Sequence, residues 1–141
     1  MAAWRARVDI PATTRGPGVA RSVVRTMLSA WNAAVLIDDA ALVVSELVTN
    51  AYTHAATGHS YELELAMTDD SVTIGLADGS SIKPIVEQVD HARPRGRGMQ
   101  LVETLASAWG ADDHEGGKRV WVRLDVPAGT AAAENIVERA E

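Results

Sequence analysis

The spacing of apolar residues changes along the chain, and each change marks an element. Trp4, Ala6, Val8 and Ile10 alternate with Arg5, Arg7 and Asp9, the two-residue period of a half-buried strand, which Pro11 ends. The segment ATTRGPG then reads as a loop. From Val19 the spacing turns helical, with Val23, Val24, Met27, Leu28 and Trp31 on the same apolar face. Asn32 is placed to cap a second helix over 33–54, which ends near Gly58. Alternation returns at Tyr61, Leu63, Leu65 and Met67. Thr68-Asp69-Asp70-Ser71 then makes a turn into a more continuously apolar strand from Val72 to Ala77. Residues 78–98 are rich in Gly, Pro, Ser and charge, a loop of about 20 residues that a compact domain keeps only for a purpose. A third helix is expected over 99–108, a turn at His114-Glu115-Gly116-Gly117, and a last strand over 118–126 with Val120, Val122 and Leu124 on one face.

Two helices packed on one face of a mostly antiparallel sheet predict an α/β (α+β) two-layer sandwich. The domain covers residues 1–127, and 128–141 form a tail or short helix. At 141 residues the chain suits one domain with a real core. Its 47% hydrophobic content and mean hydropathy of -0.02 exclude a disordered chain. With no Phe, the core must be mainly aliphatic.

The absence of cysteine removes disulfides and thiolate zinc sites, and the four scattered histidines give no reason to expect a structural metal. A net charge of -6 argues against nucleic acid and anionic membranes as partners. No apolar run approaches the roughly 18 residues of a membrane span, and the first residues lack the apolar middle of a signal peptide, so a cytoplasmic location is expected.

Three constellations carry candidate chemistry. In SELVTNAYTHA, Glu46, Asn50 and His54 are spaced four apart on an otherwise apolar helix and form one polar stripe. A solvated helix face is the ordinary explanation of such a stripe, but a carboxylate and a carboxamide one turn apart can also hold Mg²⁺ and orient a hydroxyl for attack on a phosphate. In LADGSSIKP, Asp78 follows an apolar strand and precedes Gly79. That is an ordinary turn signature, or a carboxylate at a pocket mouth that accepts from an amino group such as that of adenine. In RPRGRGMQLVETLA, Gly96 and Gly98 precede helical spacing, and Arg93, Arg95 and Arg97 add charge, which describes either a basic loop or a phosphate site at a helix start. A dinucleotide-binding glycine motif is excluded, because it requires a strand directly before it and a third glycine.

The order of these pieces resembles the GHKL ATP-binding family. SELVTNAYTHA, GRGMQLVETLASAWG and GGKRVWVRL look like the single-domain anti-sigma-factor serine/threonine kinases within it, over residues 1–126. The resemblance implies that Glu46 is the general base and that Asn50 coordinates the Mg²⁺ bridging the ATP phosphates. It implies that Asp78 reads the adenine amino group, with Gly79 and Ser80 beside it. Residues 83–97 would form a lid, and Arg95, Gly96, Arg97, Gly98 and Met99 would serve the phosphates. Two departures stand out. Ser81 replaces a second glycine after Asp78, and Lys118 or Arg119 occupies the place where relatives often carry a threonine supporting that aspartate.

By this resemblance the chain would bind ATP and Mg²⁺ and pass the γ-phosphate to a Ser or Thr of a small antagonist protein. Its partners would be a sigma factor, that antagonist, or both, and a homodimer is plausible. The alternatives are a non-catalytic nucleotide-binding switch module, and a domain acting by protein contact alone.

Overall fold

A computed structural model describes residues 4–54, 60–78, 94–114 and 117–127; of residues 54, 78, 94–98 and 114 it describes the backbone alone. Strand β1 (Trp4–Pro11) leads into helix α1 (Gly16–Ala30). One 3-10 turn (Ala34–Leu36) then precedes helix α2 (Ile37–His54). Strands β2 (Ser60–Met67) and β3 (Ser71–Asp78), helix α3 (Pro94–Leu105), and strands β4 (Ala108–His114) and β5 (Gly117–Asp125) follow. The five strands form one sheet in the order β1-β2-β3-β5-β4, and every neighbouring pair is antiparallel.

The two-layer α+β expectation therefore holds, and the alternation explains it. Tyr61, Leu63, Leu65 and Met67 pair across the ladder with Ile10, Val8, Ala6 and Trp4 on one side, and Leu63, Leu65 and Met67 with Leu76, Ile74 and Val72 on the other. This face packs with α1 and α2 into one core that includes Val24, Leu28, Val43, Val44, Val48, Val122 and Leu124. Burying each such side chain contributes about 1.5–3 kcal/mol.

Four local readings are corrected. Helix α1 starts at Gly16 rather than near Val19, because Pro17 sits in its first turn, where a missing N–H costs nothing. Its buried stripe is Gly16, Ala20, Val24 and Leu28, and Val19 is left 37% exposed. A Cβ on Gly16 would lie 2.6 Å from the Pro11 carbonyl oxygen and 3.0 Å from Val48 Cγ1, so only glycine lets the start of α1 wedge against β1 and α2.

Asn32 caps the end of α1 rather than the start of α2. It takes φ 58°, its N–H donates to Ser29 O at 3.2 Å, and the N–H of Ala33 donates to Leu28 O at 2.7 Å. That pattern is a Schellman motif, in which Asn tolerates the left-handed turn. Helix α3 covers Pro94–Leu105 instead of 99–108, so residues 94–98 belong to a helix and not to the expected loop. Strand β4 was not anticipated, because Gly110, Asp112 and Asp113 are poor strand formers and only pairing along β5 makes them one. The end of the second helix near Gly58, the lid residues 83–93 and the tail 128–141 lie outside the described residues.

The opposite face of the sheet is polar and open. Arg7 Nε donates to Glu64 Oε2 at 2.8 Å, Arg119 lies 3.5 Å from Glu64 Oε1, and Arg119 Nη2 donates to Asp112 Oδ2 at 3.1 Å. Trp121 Nε1 donates to Asp112 Oδ1 at 3.0 Å, and its ring lies against Gly110.

Candidate functional site

Helix α2 positions the polar stripe. Ala40, Ala41, Val43, Val44, Leu47, Val48 and Ala51 are buried, and Asp38 and Asp39 in the first turn complement the helix dipole. Glu46 and Asn50 lie at the edge of this buried face and are half-buried, while Thr49 between them is exposed. They are one turn apart on the same side of the helix, as the spacing predicts. The side chain of His54, the third member of the stripe, is not among those described.

Burial raises the Glu46 carboxyl above the ordinary 4.5, because desolvation penalises its charged form. A carboxylate in that position takes up a proton more readily than an exposed one. Ser45, next to it, ties α2 to α1. Its hydroxyl donates to Ala41 O at 2.9 Å and accepts from Arg21 Nη1 of α1 at 3.0 Å. Helix α2 packs against α3 and against strands β3 and β5, so the Glu46–Asn50 stripe and the two remaining constellations belong to neighbouring elements.

Asp78 ends β3, with Lys118 of β5 as its Cα partner. The register settles which residue stands across from it. Lys118 alternates with the buried Val122 and Leu124 on the helix-covered face, whereas Arg119 pairs with Ala77 and joins the ion pairs of the open face. Lys118 is 7% exposed, and its ammonium donates to Asp113 Oδ1 of β4. Asp113 escaped the sequence reading because the strand that carries it did. The one available signal was the faint alternation of Trp109 and Ala111 with Gly110 and Asp112.

Helix α3 begins at Pro94, which has no N–H to offer. Its first turn leaves the backbone amides of Arg95 and Gly96 without an intrahelical acceptor, while Gly98 and Met99 fall in the next turn. The side chain of Met99 is 4% exposed and belongs to the core. The side chains of Arg95 and Arg97 are not described, and Gly79 and Ser80 lie outside the described residues.

The donor set fits a hard cation that brings ligands of its own. Asn50 supplies a neutral oxygen beside the Glu46 carboxylate, and among the described residues no cluster of three His, Cys, Asp or Glu could hold a metal unaided. A separate polar cleft of about 320 Å³, lined by Asp70, Ser71, Arg123, Asp125 and Val126, lies at the far end of β3 from Asp78. Its charges are engaged internally, since Ser107 Oγ donates to Asp125 Oδ1 at 2.9 Å and Arg123 Nε lies 3.0 Å from Ser107 Oγ.

A model of the histidine kinase-like ATPase domain family matches residues 10–124, a span that runs from the last two residues of β1 to the last but one of β5. No curated protein matches the chain. Among the described residues no helix is long and apolar enough to cross a membrane.

Proposed function

The chain belongs to the histidine kinase-like ATPase domain family, and from that premise we propose that it is a regulatory serine/threonine protein kinase of the anti-sigma-factor type. Membership supports an ATP-binding, kinase-like domain. The finer reading is that the γ-phosphate of ATP passes to a Ser or Thr hydroxyl of a small antagonist protein. A sigma factor is then held or released according to nucleotide state and partner phosphorylation. The proposed setting is cytoplasmic, and the proposed assembly is a homodimer.

The observation that carries this reading is the half-buried Glu46 with a raised carboxyl, one turn from Asn50 on a helix packed against α3. Glu46 accepts the proton of the attacking hydroxyl as the new O–P bond forms and the bond from the γ-phosphorus to the bridging oxygen breaks, releasing ADP. Asn50 would hold Mg²⁺, which when bound would supply neutralising charge to the phosphates. Asp78 accepts from the adenine amino group, and the free amides at the start of α3 face the phosphates.

The test is calorimetric titration with ATP, with and without Mg²⁺, on the wild type and Asn50→Ala, followed by phosphotransfer assays with Glu46→Ala. Mg²⁺-dependent binding that weakens in Asn50→Ala is expected, together with loss of transfer but retained ATP binding in Glu46→Ala. Binding with no transfer to any antagonist, and partner regulation unchanged in Glu46→Ala, would instead identify a nucleotide-dependent switch module. No ATP binding under either condition would sink both readings.

A further inference from the structure

Lys118 has an aspartate as its Cα partner on each side, Asp78 in β3 and Asp113 in β4. Directly paired residues of an antiparallel ladder share a face, with Cβ atoms about 4.5–5.5 Å apart. A lysine ammonium on its four-carbon stem can therefore serve a carboxylate at either position. In the structure it serves Asp113. The lysine side chain is 8% exposed and that of Asp113 is 90% exposed, so a largely buried stem carries its charge to a carboxylate that water still solvates.

A lysine ammonium and an exocyclic amino group are both donors, and they compete for the same carboxylate oxygens. We propose that Asp113 is a positioning residue that holds Lys118 away from Asp78, leaving Asp78 free to accept from the amino group of adenine. The proposal rests on the ATP-binding reading above. It gives Lys118, the departure opposite Asp78, a partner that keeps it compatible with that reading.

The test titrates the full chain with ATP and with purine riboside triphosphate, which lacks the 6-amino group. Wild type, Asp113→Asn, Lys118→Met and the double variant are compared. Asp113→Asn keeps the shape of the side chain but removes its charge, so the ammonium is held less strongly there and is drawn to the charged carboxylate of Asp78. It is expected to weaken ATP binding roughly ten-fold, the worth of about one charge-assisted hydrogen bond, and to leave the analogue unaffected. In the Lys118→Met background, Asp113→Asn is expected to have no further effect. This comparison decides the matter even where the single Asp113→Asn variant does not fold.

Equal losses for both nucleotides would show a merely structural role and overturn the proposal. So would undiminished ATP binding by Asp113→Asn, or an added loss from Asp113→Asn when Lys118 is already Met. ATP binding by the wild type with any of these results overturns the positioning role alone. Failure of the wild type to bind ATP overturns the nucleotide reading and the proposal with it.

Discussion

Lys118 and Arg119 are neighbours in β5 and belong to different parts of the molecule. Lys118 sits on the helix-covered side, opposite Asp78, with its charge matched by one aspartate. Arg119 sits on the open side, where it meets Asp112 of the adjacent β4 and reaches across β3 to Glu64 of β2, with Gly75 of β3 lying beneath its stem. A strand turns successive side chains to opposite faces, so one step in sequence separates a candidate site from a solvated ion-pair network. Position on the ladder, more than residue type, tells the two basic residues apart.

The contrast between the covered and open faces can be broken in graded steps. The largest expected loss of stability comes from the covered side. Leu124→Ala, at a residue 2% exposed in the core, is expected to cost about 2–5 kcal/mol in urea unfolding. A cost below about 1 kcal/mol would mean that the covered face is not packed as described.

Gly110→Ala on the open side comes next. Its Cβ would lie 2.9 Å from the Trp121 ring, which is pinned by its bond to Asp112, so about 1–3 kcal/mol is expected from the same measurement. Arg119→Met should cost less than about 1 kcal/mol and lose that effect at high salt. Its charge is partly exposed, and Glu64 keeps Arg7 as a partner. A larger, salt-independent loss would make the open-face network a structural element in its own right.

The smallest effect is expected at Glu46. Its folded carboxyl is raised, so the folded state binds the proton more tightly than the unfolded one, and wild-type stability falls as pH rises from about the ordinary 4.5 through the raised value. Glu46→Gln removes that penalty. It is expected to stabilise the fold slightly at neutral pH, by well under about 1 kcal/mol for a solvent-screened group and seen as a small rise in melting temperature, and to give no gain well below the ordinary carboxyl range. A destabilised Glu46→Gln at neutral pH would show that the ionised carboxylate has a stabilising partner.

Much of this was legible in the sequence. The alternation at Trp4–Ile10, Tyr61–Met67 and Val120–Leu124 announced three strands and the buried face of each. The four-residue spacing of Glu46 and Asn50 placed both on one side of α2. Strand β4 was not legible, because its Gly and Asp residues gain strand geometry only from the neighbour they pair with. Asn32 reads in sequence as the start of α2 and in the structure closes α1, because Asn suits both a helix N-cap and the left-handed position after a helix.

The chain by itself determined the two-layer plan, the apolar core and the stripe on α2, because local periodicity decides which face of an element is buried. Tertiary structure alone decided that Lys118 stands across from Asp78, that Asp113 holds its ammonium, and that Arg119 meets Glu64 and Asp112. Those are matters of register between strands distant in sequence, set when the sheet closes on its core.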